Sequence, residues 1–385
     1  MLDSVKSIRP FVVGACTFLL IIQLIVLMIR IPIAVGGRAD FRAFYTAGYM
    51  LRSGHGAEIY DYASTLKFQS QVVSPNDNEL PFNHLAYEAL LFAPLSFLSF
   101  RAAYAVFFAL NLSLLTTSFV MLRPYTLFLR TMWSELPLAI IAGFLPVGIA
   151  LYKGQDSLIL LTLLVCSFTA FQRDSDLAAG TFLGLTLFKF QYALPIALLF
   201  LVWKKWRVIS GFAITSLFMV IISFAITGAG VYARYLFSMS AGLTTAEQRS
   251  RFGIDPLFMP NIRGLVFAAG GRGLLVTAVL SVFVIAWAML AKPLFPVLVL
   301  MAMLVSYHGL IHDAVILLIP LIVFGDAAVR ASETRKMWLM VAVLFYPTIA
   351  VICGFPYFLL VIPVIALLVA SSEPRWGISQ ATITS

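Results

Sequence analysis

The sequence predicts an all-α protein that crosses a membrane many times, and three observations predict it. Of its 385 residues, 61% are hydrophobic and only 11% charged, outside the balance of a soluble domain. Uninterrupted apolar runs such as "FVVGACTFLLIIQLIVLM" and "LLVTAVLSVFVIAWAML" recur from end to end. Charges collect in short stretches between these runs. In lipid only helices or closed barrels satisfy every main-chain group, and barrel strands would alternate every second residue, which these runs do not.

The runs place spans at 11–29, 102–122, 133–151, 156–172, 177–189, 190–203, 208–228, 273–290, 293–307, 311–325, 337–353 and 355–371. The two that meet at Lys189 are short for separate crossings, so the expected number is about 12, between 11 and 13. Residues 84–100 are apolar but hold Pro94 and Glu88, and read as membrane-embedded or re-entrant. The first run is long enough to span and has no small-x-small cleavage site before its polar flank, so it reads as a retained helix. Residues 1–371 form one integral-membrane domain, and 372–385 form a short polar tail.

Cys16, Cys166 and Cys353 all lie inside apolar runs, so neither a disulfide framework nor a zinc spacing can be read from them. The net charge of +9 is spread over loops, which fits orientation and anionic lipid rather than nucleic acid. Lys6 and Arg9, the "KKWR" loop (204–207) and "RASETRK" (330–336) are basic and short, hence cytoplasmic. Residues 30–83 then face out, with Arg30, Arg38, Arg42, Arg52 and Lys67 balanced by Asp40, Glu58, Asp61, Asp77 and Glu79. A second outer loop, 229–272, carries Arg234, Arg249, Arg251, Arg263 and Arg272 against Glu247 and Asp255. Either the topology differs there, or those arginines meet an anion.

The stretch "GGRADFRAFYTAGYMLRSGHGAEIYD" (36–61) is the densest polar segment of the amino-terminal half. Asp40 opens a helical pattern that Gly54 is placed to end, so it reads either as an N-cap or as a carboxylate fixed at the membrane surface. His55, Glu58 and Asp61 read as loop salt bridges or as ligand contacts, and Tyr45 as a ring on which a sugar could stack. Lys189 lies in an apolar stretch, where an ammonium faces a cavity or partner, or snorkels. His308 and His312 are four apart with Asp313 adjacent, a spacing for a metal pair or for hydrogen bonds to sugar hydroxyls or a phosphate. No third ligand stands near them in sequence. Gln155 and Asp156 start a helix and either cap it or touch substrate.

These motifs, in order, resemble glycosyltransferase family 87, polyprenyl-phosphate-sugar-dependent enzymes of the GT-C class. "ADFRAFYTAGYMLRSGHGAEIYD" resembles the family's opening, "FNHLAYEALLFAPL" (82–95) its aromatic segment ending in A-P-L, and "GQDSLILLTLL" (154–164) its G-Q motif. "AAGTFLGLTLFKFQYALPIALLFLVWKKWR" (178–207) is similar to its glycine-lysine-proline block, and "SYHGLIHDAVILLIPLI" (306–322) to its late His/Asp segment. The likeness runs over roughly residues 10–325. It departs from the family pattern at Asn83-His84-Leu85, where a prolyl pair is usual, and at Pro195, displaced from Lys189.

The resemblance implies a GT-C-like fold and an inverting transferase. It would move a mannose-like hexose, or a pentose, from a polyprenyl-phosphate carrier to a glycan or glycolipid acceptor, on the extracytoplasmic face of a bacterial inner membrane. A lipid phosphate is already a good leaving group, so one carboxylate suffices, as the base on the acceptor hydroxyl. The resemblance selects Asp40 for that role. Lys189, Arg263 and His312 are the candidates for the donor phosphate, and Tyr45, His55, Tyr60, Asp61, His84, Gln155, Asp156, His308 and Asp313 the candidates for substrate contact. No cofactor or metal is expected, a divalent ion being the minor alternative. The rival readings are a transporter or flippase for an anionic amphiphile, which would favour internal repeats that are not evident, and a non-catalytic assembly subunit, in which Asp40 would tolerate change.

Overall fold

The structure, a computed structural model, describes residues 2–74, 80–233, 235, 255–270, 273–291 and 294–371. Among them there is no strand, and the regular structure is all helical. The amino-terminal helix α1 (Leu2–Ile33) leads through a π-turn broken at Gly37 (φ 91°) into α2 (Phe41–Arg52) and α3 (Tyr62–Val72). Then come α4 (Phe100–Leu122), α5 (Leu136–Gly143), α6 (Leu145–Lys153), α7 (Ser157–Gln172), α8 (Asp176–Leu185), α9 (Phe190–Val202) and α10 (Trp206–Thr227). A short α11 (Ile262–Ala268) precedes α12 (Leu274–Ala291), α13 (Phe295–Val305), α14 (Leu318–Ala331), α15 (Thr334–Cys353) and α16 (Val361–Ser371).

Seven helical segments are long and apolar enough to cross a membrane, or up to eight if α5 and α6, bent by 51°, form one span. The larger number expected from sequence also includes α7, α13 and the α16 region, which are apolar but shorter than a full crossing. Large apolar side chains stay exposed along α1 (Phe18, Leu24, Met28), α10 (Ile214, Leu217, Phe218) and α12 (Leu275, Phe283, Leu290). Such continuous greasy faces suit lipid rather than water. The chain is a multi-pass helical membrane protein.

The run Asp176–Val202 is a hairpin and not a straight crossing. A straight helix of that length would separate its ends by about 40 Å. Instead the Phe171 ring, just before α8, lies 5.2 Å from Phe200 near the end of α9, and Lys205 lies over Phe171. The chain therefore turns over in the 3₁₀ segment Thr186–Lys189, with Lys189 at the tip. This agrees with the division at Lys189 expected from sequence. The base of the hairpin is packed by Phe168, Phe171 and Phe200 around Phe295 at the start of α13.

Small residues let α8 and α10 run side by side. A Cβ on Gly180 would collide with the carbonyl of Val208, and one on Gly211 with that of Leu177, so only glycine permits this approach. Helices α4 and α7 also run parallel, joined by Asn111 to the Gln155 carbonyl at one end (3.3 Å) and Ser118 to Thr162 further along (3.0 Å). Through these pairings the starts of α2 and α7, the end of α6 and the tip of the α8–α9 hairpin gather at one end of the bundle.

The first loop is itself a packed layer. Phe41, Phe44 and Met50 of α2 are buried with Phe82, Phe92, Phe100 and Phe107. Residues 84–100 lie against α2 as short turns, Ala86–Glu88, Ala89–Phe92 and Pro94–Phe97, none long enough to cross.

Candidate active site

A cavity of about 450 Å³ opens at that end of the bundle, in the size range of small-molecule sites. Its walls mix aromatic side chains (Phe44, Phe188, Tyr307) with the polar groups of Asp40, Lys153, Gln155, His308 and His312.

One polar group forms around Asp40. Helix α6 ends at Lys153, and Gly154 adopts the left-handed conformation (φ 61°) that stops it. A Cβ on Gly154 would meet that of Phe41 at 2.7 Å, so the turn is pressed against the start of α2. This brings Gln155 Nε2 to 2.6 Å and Lys153 Nζ to 3.1 Å from the same oxygen, Oδ2 of Asp40. Among the described residues Oδ1 accepts no hydrogen bond. The Asp40 side chain is 24% exposed and that of Lys153 32%. Asp40 is the first residue before α2, but its side chain makes no capping bond. The capping alternative therefore does not describe it.

The next residues of the same turn build a second, deeper group. Lys189 Nζ lies 2.9 Å from Asp156 and 2.7 Å from Asp313, and all three side chains are at most 4% exposed. Asp313 also accepts from Ser157 Oγ (2.7 Å), Tyr192 OH (3.2 Å) and Leu310 N (3.3 Å). A buried carboxylate with four donors is fully accommodated. Above it His312 Nε2 stands 3.8 Å from Asp313. Burial pushes His308 down to about 3, with Asp313 opposing and Lys189 and Arg263 adding to the fall, so its imidazole is neutral at working pH.

A third group stands behind His84. Its Nδ1 is 2.8 Å from Glu88 Oε2 and 3.4 Å from Asp156 Oδ2. Burial pushes Glu88 up to about 7, His84 pulling it down and Asp156 raising it further. His84 is itself raised, since Glu88 and Asp156 outweigh its burial.

A family model for glycosyltransferase family 87 matches residues 87–311, more than half of the chain. The chain belongs to glycosyltransferase family 87. No curated protein and no solved structure matches it. The protein is thus a membrane glycosyltransferase, acting on a sugar donor and an acceptor. The matched stretch contains Glu88, Lys153, Asp156 and Lys189, and leaves Asp40, His312 and Asp313 outside.

Within this glycosyltransferase the cavity collects seven of the residues expected from sequence: Asp40, His84, Gln155, Lys189, His308, His312 and Asp313. Asp156 sits directly behind them. The others have different work. Tyr45 is buried and donates to the Leu98 carbonyl (2.8 Å), so its ring is core rather than a sugar platform. Tyr60 donates to the His84 carbonyl (2.7 Å) and holds that strand of chain in place. Asp61 caps α3 by accepting from Ser64 N (2.9 Å), and His55 pairs with Glu58 (3.0 Å). Of the two readings of that loop, local stabilisation is the one these contacts describe. Arg263 donates to the Tyr307 carbonyl (2.8 Å) and lies over its ring, so it shapes the cavity wall without lining the cavity. Arg234, Arg249, Arg251 and Arg272 lie outside the described residues.

Two functional candidates escaped the sequence reading. Lys153 directly precedes "GQD", and a lysine at a helix end before glycine is an ordinary C-terminal cation. Glu88 in an apolar segment was visible as unusual, but its partners come from elsewhere in the chain.

Proposed function

We propose that this glycosyltransferase moves a hexose or pentose from a polyprenyl-phosphate carrier to an acceptor hydroxyl in a single inverting step, with Asp40 as base. The observation that carries this reading is the asymmetry at Asp40: both donors converge on Oδ2. Oδ1 is then left for the acceptor. The acceptor hydroxyl gives its proton to Oδ1 as its oxygen bonds to the anomeric carbon. The bond from that carbon to the phosphate oxygen breaks on the opposite face, and the lipid phosphate leaves with one more negative charge.

Lys153 takes the leaving charge in this mechanism. Before the step its ammonium is neutralised by Asp40; once Asp40 holds the proton, that ammonium is uncompensated just as the phosphate becomes more anionic. His312 completes the phosphate side as a hydrogen-bonding neighbour. Lys189 carries two carboxylates of its own, so in this reading it frames the pocket and offers no net positive charge to the phosphate. The lateral apolar faces of the bundle give an isoprenoid tail access from the bilayer, and the reaction is assigned to the extracytoplasmic face on the charge pattern of the loops.

The test is transfer of radiolabelled sugar from a panel of synthetic polyprenyl-phosphate sugars by purified protein in nanodiscs, wild type beside Asp40→Asn. Transfer or slow donor hydrolysis that vanishes in Asp40→Asn supports donor class and base together. Equal rates in both would remove Asp40 as the base, and turnover of no donor would turn the reading toward another carrier class.

A further inference from the structure

We infer that His84, Glu88 and Asp156 form a site for one divalent first-row transition-metal ion, just behind the cavity wall. Two separate stretches of chain deliver these ligands: residues 84–88, with His84 just before the 3₁₀ turn Ala86–Glu88 that carries Glu88, and Asp156, the residue that precedes α7. One imidazole nitrogen and two carboxylate oxygens all lie within 4.8 Å of one another. The individual separations of 2.8 Å and 3.4 Å lie close to the edges of a coordination shell. Ligand bonds of about 2.1 Å put neighbouring ligand atoms roughly 3.0–3.4 Å apart. A mixed nitrogen and oxygen set suits Mn²⁺, Fe²⁺ or Zn²⁺ better than Mg²⁺ or Ca²⁺, which favour oxygen alone.

Two further observations point to a cation. The first is the contrast between buried acids. Asp313 accepts from a lysine, a serine, a tyrosine and a main-chain amide. Glu88 is fully buried, yet among the described residues neither of its oxygens accepts from a main-chain amide, a hydroxyl or a side-chain amide; its polar neighbours are the His84 ring and the Asp156 carboxylate. Buried oxygens left bare in this way are rare and call for a ligand.

The second is charge. Glu88, Asp156 and Asp313 are three buried carboxylates that share one fixed cation, Lys189. A low-dielectric interior does not hold such an excess of carboxylates over fixed cations without bound protons or a further cation. A divalent ion held between Glu88 and Asp156 would supply that cation. Asp156 can serve both neighbours, since Oδ1 faces Lys189 and Oδ2 faces His84. His84 reaches the cavity, so a coordination position on its side would be open to water or to a phosphate oxygen. That last role rests on the proposed lipid-phosphate donor; the binding site itself does not.

The test uses the full chain in detergent, stripped with EDTA, desalted and titrated with MnCl₂ while free Mn²⁺ is read by electron paramagnetic resonance, with ZnCl₂ as competitor. The expected result is one Mn²⁺ per chain displaced by Zn²⁺, at least tenfold weaker binding in Glu88→Gln, and unchanged binding in Glu58→Gln, an exposed acid away from the site. Variants are compared as monodisperse protein. His84→Ala, at a part-exposed position, carries the same comparison where Glu88→Gln does not fold. Wild-type protein that binds neither ion, or equal stoichiometry and affinity in the ligand variants, would overturn the site and leave a proton shared by His84 and Glu88 in its place. The readout needs no sugar donor. Ion binding without transfer would count against the donor reading alone, and transfer lost in Asp40→Asn without ion binding would count against the metal alone.

Discussion

Two lysine–carboxylate groups stand at the same end of the bundle and are fed by one turn, Lys153-Gly154-Gln155-Asp156-Ser157. In the outer group, Lys153 and Asp40 are each about a quarter to a third exposed and leave one carboxylate oxygen open. In the inner group, Lys189, Asp156 and Asp313 are almost fully buried, and Asp313 has a donor for nearly every lone pair. The same chemical pairing thus serves two ends. An accessible, under-satisfied carboxylate can exchange a proton, whereas a buried, saturated one holds helices in register. Breaking a buried pair leaves an uncompensated charge, which costs far more than breaking an exposed one.

Substitutions can break that comparison. The largest expected effect is Asp40→Asn, which should lower the transfer rate by about a thousandfold, within the span for loss of a general base, while leaving thermal unfolding nearly unchanged. A rate loss accompanied by an equal loss of stability would place Asp40 with the framework instead. Asp313→Asn should do the reverse: thermal unfolding in detergent should show a loss of about 3 kcal/mol, because one of its two oxygens becomes an NH₂ that cannot accept from the buried donors Lys189, Ser157 and Tyr192. Any activity loss should then scale with the folded fraction. Third in size is Lys153→Gln, expected to reduce kcat by roughly a hundredfold, the scale for one electrostatic donor, with a smaller change in KM. A change in KM alone would make Lys153 a binding residue only.

The smallest effect concerns the loop after α2. Its Glu58 carboxyl is held below the usual glutamate range by hydrogen bonds from His55 and then Ser64. A lowered carboxyl pKa contributes stability that is complete above the ordinary value and lost as pH falls through the lowered one. Amide protection factors over residues 55–65, taken relative to the intrinsic exchange rate at each pH, should therefore fall below about pH 4.5 in wild type, near the ordinary glutamate pKa. In Glu58→Gln that acid dependence should disappear, and catalysis near neutral pH should be unchanged in both.

Much of this was legible beforehand for identifiable reasons. Apolar runs long enough for lipid report themselves, because the bilayer forces a continuous stretch of greasy side chains. The division at Lys189 was visible as a pair of runs each too short to cross, and the hairpin through Phe171 and Phe200 gives it a physical form. Gly54 was placed to end α2, and its positive φ (84°) does so. The difficult residues were those whose meaning depends on distant partners. Asp61 and Tyr45 look like ligand contacts in a motif, yet one caps a helix and the other bonds a main-chain carbonyl more than fifty residues on. Lys153 looks like a helix-end cation until the fold carries Asp40 to it.

By itself the sequence determined the class of molecule, an all-α membrane protein with family 87 motifs, and the end of the bundle where polar residues would collect. Those features rest on local hydrophobicity and on residues close in the chain. Tertiary structure decided which carboxylate stays accessible and which is saturated, because Asp40 and Lys153 are 113 residues apart, and Lys189 and Asp313 are 124 apart. Burial and partner number belong to the packed bundle, and no local pattern encodes them.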